Sequence, residues 1–230
     1  MTSTAITLDI WIDLVCPFCY LAKKRLTASL EQFQDASTIK IRWHSFQLDP
    51  NFPVGESLSS FDHLHIKKGF SVEQIEQMCI PLAEQGKEYG INFDFKKSLN
   101  FNTNHAHQLI HWAAAFGKGE RLMHAFFDAV FCTGLDLSKI SNVLSVCESV
   151  ELDARIAQEV IQKNQFVLAV EKDVQLAQTI GLRGVPSFVH QQQLVLYGAP
   201  QIEEFNQLIQ RLLSLETAQQ QINSSYCPIR

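Results

Sequence analysis

Ile6-Thr7-Leu8-Asp9-Ile10-Trp11-Ile12-Asp13-Leu14-Val15-Cys16-Pro17-Phe18-Cys19-Tyr20 is the stretch whose reading decides the fold. Residues 6–12 alternate loosely and are rich in β-branched and aromatic side chains, so they read as a strand. Pro17 suits the first position of a helix, where its missing N–H costs nothing. Beyond it Leu21, Ala22, Arg25, Leu26, Ser29, Leu30 and Phe33 recur at helical spacing. After a short polar turn, residues 39–46 read as a second strand. A β–α–β unit of this kind predicts a parallel pair joined by a right-handed crossover.

The pattern changes after Leu48. Asp49-Pro50-Asn51-Phe52-Pro53-Val54-Gly55 is loop chemistry, and helical periodicity then dominates residues 51–164. Ser71 followed by Gln74 is a capping-box signature. Val72, Ile75, Cys79 and Leu82 share one face of that helix, Pro81 predicts a kink or break, and Gly90 closes the segment. Asn102 or Thr103 can cap the next helix, which is expected to bury Ala106, Leu109, Ile110 and Ala113 and to end at Gly117. Residues 119–131, 138–150 and 153–163 read as three more amphipathic helices. The last part is mixed again: a helix over 166–180 stopped by Gly181, a hairpin of 187–190 with 194–197, and a helix over 200–215. The expectation is an α/β protein in which residues 1–50 and 165–215 build one mixed sheet with helices on its faces. Residues 51–164 form an inserted all-helical domain, and 216–230 a frayed, flexible tail.

Composition narrows the function classes. With 46% hydrophobic and 19% charged residues in a chain of 230, the protein is an ordinary globular one. A net charge of −5 gives no general basic field for nucleic acid or an anionic membrane, and neither is expected as a partner. The run Lys23-Lys24-Arg25 reads as a solvated helix face. No window approaches the ~18 consecutive apolar residues of a transmembrane helix. Residues 1–5 lack positive charge, and Asp9 and Asp13 break the apolar stretch that follows, so no signal peptide is expected and the cytoplasm is the expected location. Of the six cysteines only Cys16 and Cys19 lie close together. Cys79, Cys132, Cys147 and Cys227 are scattered, which excludes a disulfide scaffold.

A C-x-x-C that follows a strand and opens a helix serves a recognisable chemistry. The helix N-terminus carries free N–H groups and a positive dipole end, which favour a thiolate. Thiolate is the nucleophile of disulfide exchange, and the three-residue offset places a second sulfur to resolve the mixed disulfide. Cys16 is thus the expected exposed nucleophile and Cys19 the more buried resolving thiol. A zinc site would need a second ligand pair at compatible spacing, and none stands out, so no metal is expected.

Three segments carry a family resemblance: Asp13-Leu14-Val15-Cys16-Pro17-Phe18-Cys19-Tyr20, then Phe101-Asn102-Thr103-Asn104-His105-Ala106-His107, and Gly181-Leu182-Arg183-Gly184-Val185-Pro186-Ser187-Phe188. With them the sequence resembles the DsbA family, most closely its FrnE-like branch, which also includes relatives of 2-hydroxychromene-2-carboxylate isomerase and kappa-class glutathione transferase. The resemblance covers nearly the whole chain and implies a thioredoxin fold interrupted by a helical domain. It implies that the Val185–Pro186 peptide is cis and lies beside the dithiol, offering the backbone of Val185 to an extended substrate; a plain turn proline is the other reading. Asn102, Thr103 and His107 either face the dithiol across a cleft, as substrate-binding residues together with Phe18, or simply cap a helix. The His105, His107 and His111 spacing suits a metal, but Gln108 stands where a metalloprotease has Glu, and packing or cleft roles are favoured.

Departures from the family pattern bear on mechanism. Several relatives place a buried acid six residues before the first cysteine, and that position is Ile10 here. Asp13 either moves the proton of Cys19 through water or caps the loop. Pro17-Phe18 between the cysteines lacks the histidine of strongly oxidising relatives, which implies a weaker oxidant. Cys79 and Cys147 read as inert buried thiols; a further exchange role for Cys227 in the tail is conceivable but is not the favoured reading. Phe126, Phe127 and Phe131 are expected in the helical core, with other phenylalanines lining an apolar cleft above Cys16. The expected activity is thiol–disulfide exchange with a protein or small-molecule disulfide, with no resident cofactor and with glutathione as a conceivable co-substrate. One alternative is a glutathione-dependent isomerase or transferase of an aromatic polyketide-like compound. Those relatives generally carry serine at the first cysteine position, and retention of both sulfurs argues against it. The other alternative is a chaperone-like binding module.

Overall fold

The computed structural model describes residues 6–225, with side chains through residue 215. Strand β1 (Thr7–Ile12) leads into helix α1 (Pro17–Leu30), a 3-10 turn at Ala36–Thr38 and strand β2 (Lys40–Ser45). The two strands pair in parallel, with Thr7 opposite Lys40 and Ile12 opposite Ser45, as the β–α–β reading requires. Leu8, Ile10, Trp11 and Ile12 are all buried, so β1 is covered on both faces and sits centrally.

The insertion contains strand β3 (Ser57–Ser59), helices α2 (Ser60–Lys68) and α3 (Val72–Glu88), and strand β4 (Leu99–Phe101). Helices α4 (Asn104–Ala114), α5 (Gly119–Asp128), α6 (Ile140–Ser149) and α7 (Ala154–Gln162) follow. It is therefore helical but not wholly so, because β3 and β4 form an antiparallel ribbon. Ser71 and Gln74 make the reciprocal capping box that begins α3. Pro81 does not break that helix. It lies on the exposed face, where the carbonyl it leaves unpaired is open to solvent. Ile75 and Leu82 face the core as expected, whereas Val72, in the first turn, is exposed. Helix α5 runs into a π-helical turn at Ala129–Thr133, closed by Gly134 at φ 66°.

The chain then returns through α8 (Val167–Ile180), stopped by Gly181 at φ 82°, to the hairpin β5 (Ser187–His190) and β6 (Gln193–Tyr197), and ends in α9 (Ile202–Ser225). The sheet order is β2-β1-β5-β6, with β5 antiparallel to β1. Helix α9 continues past Leu215 to Ser225, which corrects the boundary of the expected tail. No glycine or proline occurs between 216 and 225 to stop it.

Two charged side chains of the basic run are buried, contrary to the solvated face expected. Lys23 is packed under Trp43, its Nζ donating to Glu120 at 2.8 Å. Arg25 is 1% exposed and donates to the Ala199 and Pro200 carbonyls and to Gln85 Oε1 at 2.7–3.1 Å. Helices α3, α5 and α9 all pack on α1, so Lys23 and Arg25 are buried against protein acceptors instead of hydrated, with Arg25 Nε alone left unpaired. A charge network lies on the face of β2 opposite Trp43. His44 stacks on Trp11, with ring centroids 4.3 Å apart, and bridges Asp173 of α8 (2.6 Å) and Asp9 of β1 (2.7 Å). Arg42 makes a bidentate pair with Asp9, and His111 of α4 reaches Asp173 at 3.0 Å.

Candidate active site

The dithiol forms where β1 hands over to α1. Cys16 is the N-cap residue, in extended conformation at φ −102°, ψ 107°, with Pro17 directly after it. Its N–H donates to the Asp13 carbonyl (3.1 Å), and its own carbonyl accepts from Cys19 N–H (3.0 Å), so the loop is wound tightly around the two sulfurs. Both are free thiols. Cys16 is 5% exposed and Cys19 fully buried. Burial pushes the Cys19 thiol well above its ordinary pKa, and contact with the Cys16 sulfur adds to the shift.

The Val185–Pro186 peptide is cis, and the Cys16 thiol donates to the Val185 carbonyl at 3.6 Å. The segment is pinned by Ser187 Oγ donating to the Gly184 carbonyl (2.7 Å) and by Gly198 N–H donating to that of Pro186 (2.9 Å). A Cβ at Gly184 would stand 2.6 Å from the Tyr197 hydroxyl, so a larger residue there would have to displace the tip of that exposed ring.

Asp13 is buried and acts as a brace between loops. Oδ1 accepts from Leu14 N–H (2.8 Å), Oδ2 accepts from Leu48 N–H (2.7 Å), and His107 Nε2 lies 3.3 Å from Oδ1. Of its two readings, loop capping is the one the contacts display. Ile10 is a fully buried core residue. His107, at 1% exposure, does not reach the cleft and meets it only through Asp13, so its direct substrate contact is corrected. The side chain of Asn102 is also engaged elsewhere, donating to the Phe52 carbonyl (2.7 Å) and accepting from Asn104 N–H (3.0 Å). That leaves it a strap on the 48–55 loop and a cap of α4, outside the cleft wall. Thr103 does line the cleft, as do Pro17 and Phe18, the latter 46% exposed. The three histidines of α4 do not converge. His111 belongs to the Asp173 network, and no cluster among the described residues is arranged to hold a metal ion.

A cavity of about 490 Å³ opens on Cys16. It is bounded by the dithiol loop, the 48–52 loop, β4, α2 and α3. Its floor is apolar, including Ile75, Leu82, Phe101 and Phe131. Cys79 is in its wall and half-buried, so it is not the sealed thiol expected; burial, and secondarily Glu76, push its pKa up. Burial does the same to Cys147, to about 12, and to Cys132, to about 11. Cys227 falls outside the described residues. No sequence pattern pointed to His63, Lys67 and Lys68, which α2 brings to the cavity. Helix α2 buries no residue fully, so it has no apolar stripe from which its inward face could be read.

With the geometry in place, comparison with known proteins assigns the class. Residues 7–210 match the model of the DSBA-like thioredoxin domain. The chain belongs to that family, one of thiol–disulfide oxidoreductases. A probable DsbA oxidoreductase of Streptomyces coelicolor superposes with a TM-score of 0.86 at 24% identity, covering 98% of this chain and 93% of that one. The cytosolic disulfide reductase DsbM of Pseudomonas aeruginosa gives a TM-score of 0.61 at 15% identity, over 91% and 100% of the two chains. An uncharacterized protein of Bacillus subtilis, YwbO, is 23% identical over 185 residues, which is 79% of this chain and 85% of that protein. The structural likenesses establish a thioredoxin fold with a helical insertion. No described helix is long and apolar enough to cross a membrane.

Proposed function

We propose that this oxidoreductase works by dithiol exchange, with Cys16 as the attacking sulfur and Cys19 as the resolving one. The observation that carries the assignment is the asymmetry of the pair. Cys16 caps a helix N-terminus and opens onto a cavity, whereas Cys19 is sealed behind it with its proton held firmly. Cys16 thiolate attacks a substrate disulfide, one sulfur leaves as thiol, and Cys19 then displaces the second. The protein is left with a Cys16–Cys19 disulfide and the substrate gains two electrons. The sulfur pair carries the electrons, so the cycle requires no resident metal or organic cofactor. Val185 and Pro186 close one side of Cys16 and serve as the docking edge; Phe18 and Thr103 stand on the cavity side. Asp13 and Pro17 set the loop that presents the sulfurs.

A reducing compartment suits this reading, because a thiol pool would return the centre to the dithiol, with glutathione as one candidate donor. The similar reductase DsbM is cytosolic, and one of its structures contains GSH. The test is insulin reduction followed alongside the single variants. Wild type should outpace free thiol, Cys16→Ser should lose the activity, and Cys19→Ser should accumulate a mixed disulfide visible by mass spectrometry. A wild-type rate equal to that of free thiol overturns the proposal. Survival of aggregation suppression in both variants would instead mark a binding module.

A further inference from the structure

Cys16 is only 5% exposed, yet it borders a cavity of about 490 Å³. That volume falls in the range of about 300–1,000 Å³ typical of small-molecule sites. The cavity bottoms on side chains that are themselves sealed, with Ile75 0%, Phe131 2% and Phe101 3% exposed, so it penetrates between the insertion and the dithiol loop and is not a shallow surface groove. An apolar body of two-ring size can enter it; a disulfide held on the surface of a folded protein meets a sulfur that is almost wholly covered.

The basic groups of the wall all stand on α2. Lys67 and Lys68 stand on its last turn and are exposed at the rim. His63, one turn earlier, rests against Phe52 with ring centroids 5.9 Å apart, and its Nδ1 is buried without a hydrogen-bond partner. A buried ring nitrogen left unpaired is a group that a ligand can satisfy. Of the acidic groups on the wall, Asp13 is already bonded to two backbone N–H groups. Asp49 lies near His63, so the two carboxylates of the wall stand away from the helix end where its two lysines gather the positive charge.

Resting on the dithiol reading above, we infer that the cavity binds a small apolar disulfide bearing a carboxylate or similar anionic head, with the head toward His63, Lys67 and Lys68 and the S–S bond toward Cys16. The exchange is R–S–S–R plus the dithiol. Cys16 sulfur bonds to one substrate sulfur as the S–S bond breaks, and the first R–S⁻ leaves and takes a proton from solvent. Cys19, giving its proton to solvent, bonds to Cys16 and expels the second R–S⁻. A cellular thiol then reduces the protein disulfide.

Binding is tested apart from redox chemistry with 2,2′-thiodibenzoate, which has one sulfur and no exchangeable bond, and with its neutral diamide. Calorimetric titration of wild type and of Cys16→Ser should give one saturable site for the acid in both, with the diamide about tenfold weaker, the worth of a charge-assisted hydrogen bond. The double variant Lys67→Gln/Lys68→Gln should erase that preference. Equal binding of acid and diamide overturns the anionic class, and absence of binding overturns the site, whatever the dithiol does. Turnover is then compared on 2,2′-dithiodibenzoate and insulin. The small disulfide should have the higher kcat/KM, and thiodibenzoate should compete with it. Insulin reduced as well as the small disulfide, and unaffected by thiodibenzoate, would mean that the docking edge serves proteins and that the cavity is not the substrate site. Failure of both reductions with thiodibenzoate still bound would sink the dithiol reading and leave the ligand site standing.

Discussion

Asp13 shows how much one buried residue beside the dithiol holds in place. Its two oxygens accept backbone N–H groups from Leu14 and Leu48 while His107 closes the third side. Asp13→Asn turns one acceptor into a donor that faces another donor, leaving a buried N–H unsatisfied. The expected loss is about 1–3 kcal/mol, read from the urea midpoint; an unchanged midpoint would show that the loop is not braced this way. The two sulfurs were legible in the sequence because their relation is local: three residues apart, on a helix start, they are neighbours in any fold that keeps the helix. The partners of Asp13 were not legible, since Leu48 and His107 reach it only through the tertiary fold. For the same reason the motif left Asn102 and His107 open between cleft wall and helix cap, whereas their contacts are to Phe52 and Asn104 and to Asp13.

At the scale of elements, the Arg42–Asp9–His44–Asp173–His111 network joins β1 and β2 of the sheet to α8 and to α4 of the insertion. Burial works against the His44 imidazolium, but hydrogen bonds to Asp173 and Asp9 outweigh it and raise its pKa from 6.5 to about 9. Burial likewise opposes the Asp9 carboxylate, while His44 and Arg42 hold it down at about 2. A histidine whose folded pKa is raised contributes stability that is fully present below about pH 6.5 and is lost as pH rises through about 9. Wild type should therefore lose stability on the order of 3 kcal/mol more than His44→Gln between pH 6 and pH 10, measured by urea unfolding at each pH. Parallel profiles for the two proteins would remove His44 from the network's energetics. Asp9 has the opposite sign: its contribution is present above pH 3.8 and falls away as pH drops through about 2. The elements that carry this network were readable from their periods, and the parallel pairing of β1 and β2 from the helix between them. What escaped were features too short or too dependent on context for a period. The strands β3 and β4 have three residues each, Pro81 falls on a solvent face where a helix tolerates it, and α9 runs on through a polar stretch that merely lacks a stop signal.

Across the whole molecule, one apolar cluster runs without a break from Leu8 and Ile10 in the sheet to Phe126, Phe127 and Val160 in the insertion. Sheet and insertion therefore do not have separate cores, and neither buries its apolar face without the other. Arg25 sits at the junction, its guanidinium shared between Gln85 of α3 and the carbonyls of Ala199 and Pro200 just before α9, with the Tyr89 ring 5.4 Å away. Arg25→Met keeps the length of the side chain but strands two carbonyls and Gln85. This should lower stability by about 1.5–3 kcal/mol, and Tm by roughly 2–4 °C per kcal/mol for a chain of this size. If the core is shared, that loss must appear equally in β1 and in α4, although neither contains a partner of Arg25. Amide hydrogen exchange gives the readout: the slowest amides of both elements should have the same opening free energy in wild type and fall together in the variant. A drop confined to the neighbours of Arg25, or two separated melting transitions, would mean that the insertion is an independent folding unit and that the cavity above Cys16 lies at a hinge between two bodies.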